Sequence, residues 1–133
     1  MGAGINGNRL NGHMKTKKAF EKWIREQVNF YTPILALSLW TIRIEPDEKE
    51  GYLAITCNYP YLDATIKYST KAHTAWVSGG MKRDRILHEM CHLITDPLYI
   101  KAIERYSSRE EIKDEREKLT DTISSIITKL LNY

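Results

Sequence analysis

Cysteine is scarce, apolar runs are short, and neither sign of charge predominates. The 133 residues include only Cys57 and Cys91. A single disulfide is formally possible, but two cysteines exclude the disulfide-dense scaffold of small secreted proteins. Both read as reduced thiols, and the compartment reads as cytoplasmic. The longest apolar run, Ile34–Leu39, is interrupted by Ser38. It falls far short of the roughly 20 residues that a membrane span needs, so a spanning helix is excluded. The 20 Lys+Arg stand against 17 Asp+Glu, a formal net charge of +3. From Lys101 to Tyr133 seven basic and seven acidic residues cancel. There is no concentrated basic face of the kind that nucleic acid requires. What remains is an ordinary apolar share, 42%, enough for one core. At roughly 100–200 residues per domain the chain holds one domain.

Residues 1–13 (MGAGINGNRLNGH) are rich in Gly and Asn and show no apolar period. They lack the apolar centre of a signal peptide. They are expected to be a non-native leader or a flexible arm, with a single domain over 14–133 that begins at the start-like Met14. Phe20, Trp23, Ile24, Val28 and Tyr31 recur at helical spacing, which predicts an amphipathic helix over about 15–31 that Pro33 ends. Trp40, Ile42 and Ile44 alternate with polar residues, the strand period. Pro46–Gly51 is a turn. Two more strands are expected at 52–58 and 63–68, and a short extended piece at 73–77. Helical spacing returns from about Lys82 to Thr95. Ile86, Leu87, Met90, Cys91, Leu93 and Ile94 give that helix a broad apolar surface, and Asp96-Pro97 is expected to terminate it. A last helix starts near Ser108 in a capping box, Ser108-Arg109-Glu110-Glu111. Its apolar stripe comprises Ile112, Leu119, Ile123, Ile126, Ile127 and Leu130. The fold class is α+β.

The chemistry is concentrated in His88-Glu89-Met90-Cys91-His92, an HExxH motif. Histidines at i and i+4 stand on one helical face, and both can reach one ion with zinc–nitrogen bonds of roughly 2.0–2.1 Å. Glu89 follows the first ligand and points beside the metal, where it can take a proton from an activated water. With 4 His and 11 Glu in the chain, chance would produce this pattern roughly 0.01 times in such a sequence, by composition. The motif also lies on an apolar-backed helix. Two histidines and a glutamate buried there without a metal would be costly.

Catalytic zinc usually takes three protein ligands and keeps one position for water. The metzincin extension fails, because Thr95 and Leu98 stand where it requires Gly and His. Asp96 shares the face of His92 but lies a turn farther from the metal, and with Pro97 it marks the helix end. On the last helix, Glu117-Lys118-Leu119-Thr120-Asp121 is an ExxxD pattern. It resembles the second motif of the thermolysin-like zincins, the gluzincins. That resemblance implies Glu117 as third zinc ligand and Asp121 as the acceptor for the first histidine's other nitrogen. The i, i+4 spacing suits both tasks. Glu115 lies closer to the apolar stripe and is the rival ligand. The face of Glu117 continues through Thr120, Asp121, Ser124 and Thr128, small polar residues suited to close helix packing beside a metal.

Beyond these motifs the order is an N-terminal helix, a small sheet, the HExxH helix, a connector and a Glu-bearing helix. It is similar to that of the minimal, single-domain zincins of phage and bacterial genomes. The softer landmarks are Leu37-Ser38-Leu39-Trp40 and Asp63-Ala64-Thr65-Ile66. The resemblance implies a zincin-like fold with a three- to four-stranded, mostly antiparallel sheet. It implies a zinc-dependent metallopeptidase holding one zinc ion on His88, His92 and Glu117, with Glu89 as general base. A Tyr or His would then stabilise the oxyanion, from among eight tyrosines and His73. The partner is a protein or peptide substrate laid along an edge strand, for which 63–68 is the candidate; nucleic acid and membrane are not expected, and oligomeric state is open. Two other functions compete. One is a zincin-like regulatory module acting on a single dedicated protein partner. The other is a structural zinc domain, which would normally need four ligands, mostly Cys.

Overall fold

The computed structural model describes residues 15–58, 61–105 and 109–131, with 101–105 described by their backbone alone. The expected leader and the Ser108 capping box lie outside them. The protein is α+β. Helix α1 (Lys17–Ile34) leads into strands β1 (Thr41–Pro46), β2 (Leu53–Cys57) and β3 (Asp63–Tyr68). Helices α2 (Thr70–Val77), α3 (Arg83–Arg105) and α4 (Arg109–Leu130) follow. Among the described residues no helix is long and apolar enough to cross a membrane. No disulfide joins Cys57 to Cys91.

Helix α1 is capped by Thr16, whose hydroxyl accepts from the Ala19 amide at 3.0 Å. Its buried stripe is Phe20, Ile24, Gln27, Val28 and Tyr31, the spacing that puts one face on a core. Pro33, expected to end the helix, lies inside its last turn, and the helix closes one residue later at Ile34. The chain leaves through Ala36, whose φ of 57° is left-handed. The Ala36 and Leu37 amides return to the carbonyls of Pro33 and Thr32, a Schellman closure in a place that glycine usually fills.

The sheet has the order β1-β3-β2. β3 pairs antiparallel with β2 (Ile55 opposite Ile66) and parallel with β1 (Ile44 opposite Ile66). Three strands fall within the expected number, but half the pairing is parallel where mostly antiparallel was expected. The cause is the link 47–52, which passes over the end of β3 instead of folding β1 back on β2. Asp47 donates to the Tyr68 carbonyl at 2.8 Å, and Ser69 to the Tyr52 carbonyl at 2.9 Å. β3 is therefore central, and the edge role expected for 63–68 is wrong: the edges are β1 and β2.

Residues 73–77, expected to be extended, belong to helix α2. Ser69 caps it through the Ala72 amide, and Glu48 binds both the amide and the hydroxyl of Thr70. Two caps on the first turn overcome the modest helix preference of eight residues. Helix α3 likewise runs past Pro97 to Arg105, although Asp96-Pro97 was expected to stop it. Proline removes one amide donor from the ladder. Packing along α4 compensates, through Thr95 on Thr120 at 3.0 Å and Arg116 near Asp96 at 3.7 Å.

The core lies between α1, the sheet and one face of α3. Ile86, Leu87, Met90 and Cys91 are fully buried there, with Phe20, Ile24, Tyr31 and Ile66. Each such large side chain contributes about 1.5–3 kcal/mol by leaving water. The opposite face of α3 meets α4.

Candidate metal centre

On that opposite face the HExxH residues come to lie. His88 and His92, one turn apart on α3, have ring centroids 5.0 Å apart. Helix α4 brings up Glu117 and Asp121. His88 Nδ1 lies 2.9 Å from Asp121 Oδ1, and His92 Nδ1 lies 3.1 Å from Asp96 Oδ1. With each Nδ1 held by a carboxylate, both Nε2 atoms are left for Glu117. His88 Nε2 lies 3.8 Å from Glu117 Oε1, and His92 Nε2 lies 3.3 Å from Oε2. The three residues offer ligand atoms all within 4.8 Å of one another, so the group can hold a metal ion.

Two features of the group fit a divalent cation. Ligands each 2.0–2.1 Å from a tetrahedral zinc lie about 3.3–3.4 Å apart, against the 3.3 and 3.8 Å that separate the Glu117 oxygens from the two imidazoles. Glu117 Oε2 also lies 3.3 Å from both Arg116 Nε and His92 Nε2, yet it is buried and makes no hydrogen bond. A buried carboxylate oxygen in that state is costly, and a cation satisfies it.

Electrostatics differ along the helix. Burial, with the neighbouring His92, lowers the His88 pKa against the opposing pull of Asp121. Burial also disfavours the charged form of His92, but the hydrogen bond and charge of Asp96 outweigh it, and its pKa is raised. Glu89 is only 4% exposed. Burial pushes its carboxyl up to about 7, against the nearby Arg85. Its Oε1 accepts from the Ile55 amide at 3.2 Å, and its Oε2 lies 3.1 Å from Arg85 Nη2. These groups share a polar cleft of about 430 Å³ between β2, α3 and α4.

The structure thus brings together His88, Glu89, His92, Glu117 and Asp121. Glu115, the rival ligand, turns away to Lys118 at 3.3 Å. Cys91 lies in the core, where burial pushes its thiol up to about 11. Asp96 was weighed only as a distant ligand or helix end; it is the acceptor of His92, and the i, i+4 spacing that relates the two was the available signal. Arg116 is the other group sequence reasoning missed. Its guanidinium stacks on Tyr99 at 4.1 Å and reaches Asp96 and Glu117. Among the described residues no tyrosine, and no histidine besides His88 and His92, lines the cleft, whose positive groups are Arg85 and Arg116. His73 is bonded to the Lys15 carbonyl and packs on Phe20. The strand edge at the cleft is β2, through Leu53, Ala54 and Ile55.

Half of the apolar stripe expected on α4 faces outward, while Ile123 and Ile127 pack against the core. Leu119, Ile126 and Leu130 are 44%, 52% and 75% exposed. The buried residues of α4 are Thr120 and Ser124, members of the small polar ridge. Ile112 and Leu119, with Leu98 and Tyr99 of α3, line an apolar groove of about 360 Å³ that meets the cleft at Arg116. No family model, curated protein or solved structure matches the chain.

Proposed function

We propose that the protein is a zinc-dependent metallopeptidase of gluzincin-like type, with a peptide or protein as substrate. The observation that carries this reading is the convergence of His88, His92 and Glu117, each imidazole braced by its own carboxylate, beside a buried glutamate. Zinc held there supplies an activated water near neutral pH and polarises a peptide carbonyl. Asp121 and Asp96 fix the imidazole tautomers so that Nε2 serves as the ligand atom on each ring. The three donors found among the described residues would leave a tetrahedral zinc one position for water, whereas structural zinc sites are usually closed by four protein ligands.

Glu89 is the proton carrier. Its carboxylate accepts the proton of the attacking water and delivers it to the departing amine nitrogen. Burial raises the proton affinity of this carboxyl in the metal-free protein, the direction that lets it hold a proton between the two transfers. The edge of β2 flanks the cleft; its Leu53 carbonyl and Ile55 amide are engaged by Arg85 and Glu89, so an extended peptide laid there would pair with the remaining outward groups of that edge.

Metal analysis of the purified chain, followed by cleavage of a peptide library with and without chelator, tests the reading. One zinc per chain and chelator-sensitive hydrolysis are expected. Glu89→Gln should keep the zinc and lower hydrolysis by about 10²–10⁴-fold, the usual share of general acid–base catalysis. Glu117→Ala should empty the site, and Glu115→Ala should leave it filled. Hydrolysis retained by Glu89→Gln, or zinc retained by Glu117→Ala and lost by Glu115→Ala, overturns the assignment.

A further inference from the structure

Arg85 was no part of the site read from the sequence, yet it touches two of the elements that build it. It stands one helical turn before Glu89 on α3. Its Nη2 lies 3.1 Å from Glu89 Oε2 and 3.1 Å from the Leu53 carbonyl oxygen on β2. Its guanidinium carbon sits 5.1 Å over the ring of Tyr52, just before that strand. The other oxygen of Glu89 is held by the Ile55 amide of the same strand.

The strand's hydrogen-bond alternation explains why these backbone groups are available. The Tyr52 carbonyl bonds Ser69, and the Asn58 amide bonds Asp63. In an antiparallel pair the backbone groups of alternate residues point to the same side. Residues 52, 54, 56 and 58 therefore turn to β3, and 53 and 55 turn outward from the sheet edge. Leu53 and Ile55 are the residues whose outward groups meet Arg85 and Glu89.

We propose that Arg85 is a positioning residue that locks the Glu89 carboxylate and the outer edge of β2 into one unit. A glutamate has three rotatable side-chain bonds, and a proton carrier must keep its geometry within a fraction of an ångström. Glu89 is 4% exposed, so these protein donors, more than bulk water, set the orientation of its carboxylate. The Ile55 amide fixes one oxygen, and Arg85 fixes the other while bonding the same strand. A peptide aligned along β2 is thereby aligned to Glu89. That last consequence rests on the peptidase reading; the lock itself does not.

The test is amide hydrogen exchange by NMR on the full chain, with and without zinc. In Arg85→Met, which keeps the aliphatic stem, the Ile55 amide should exchange about tenfold faster or more, while Ala54 and Thr56, bonded to β3, stay within about twofold, as local opening allows. Arg85→Lys, which keeps charge but not the planar fork, should lie between Met and wild type, and it decides the matter should the Met variant not fold. On whichever library peptide the wild type cleaves, Arg85→Met should lower kcat about tenfold or more with KM within about twofold, the signature of an interaction expressed in the transition state. Unchanged Ile55 exchange in the folded variants overturns the proposal. So does equal acceleration along all of β2, which would make Arg85 a mere strand staple. A wild type that binds no zinc and cleaves nothing removes the peptidase reading and leaves the exchange result to decide the lock.

Discussion

The two faces of α3 are built from different chemistry. Toward α1 and the sheet it presents Ile86, Leu87, Met90 and Cys91, all fully buried. Toward α4 it presents His88, His92, Thr95 and Asp96, which meet Glu117, Thr120 and Asp121 through directed polar contacts. The first face is stabilised by area removed from water, which is non-directional. The second gains little net stability, because desolvating charged groups offsets most of what their pairing returns. A protein keeps such a face for what it can bind. α4 repeats the division in reverse: its buried residues are threonine and serine, and its leucines lie at the surface.

That contrast can be broken at its strongest point first. Leu87→Ala should cost about 2–5 kcal/mol in denaturant unfolding, the range for a buried leucine whose cavity does not collapse. A loss below 1 kcal/mol would mean that the apolar face is not the stabilising one. Thr120→Val sharpens the other face. It preserves shape but removes the hydroxyl that donates to the Arg116 carbonyl at 2.8 Å and meets Thr95. The expected cost is about 1–2 kcal/mol, because Thr95 is left buried without that partner. A gain in stability would show that this seam packs as a plain apolar contact.

The smallest effect concerns Glu48, which ties the link over β3 to the start of α2. Its hydrogen bonds to Thr70, aided by Lys17, lower its carboxyl pKa below the ordinary 4.5. A lowered folded value means that the ionised form is favoured by folding. The contribution is therefore fully present above about pH 4.5 and fades as pH falls through the folded value. The stability difference between wild type and Glu48→Gln should be constant near neutrality and close in acid. A difference that widens in acid contradicts this linkage.

Local pattern carried much of the architecture. α1 and the three strands follow apolar periods of 3.6 and 2. His88 and His92 were legible because i, i+4 spacing fixes a shared face wherever a helix forms; Glu117 and Asp121 were chosen over Glu115 through the resemblance to the gluzincin motif. The ridge of Thr120 and Ser124 was legible from side-chain size. Hydrophobicity alone misassigned Leu119, Ile126 and Leu130, since an apolar residue on a helix does not say which neighbour is there to cover it. The helix at 70–77 was hidden because part of its cap, Glu48, lies 22 residues upstream. Pro97 misled for a related reason: a proline's local cost is fixed, but the packing that offsets it is not local.

Spacing along single helices thus showed that the two histidines share a face, and that Glu117 and Asp121 share another, because helical geometry is set within four or five residues. Strand order, the approach of Glu117 and Asp121 to the two histidines, and the meeting of Arg85 with β2 were decided only when distant segments packed. Those contacts depend on which surfaces remain once the apolar core has closed, and no stretch of sequence contains that information by itself.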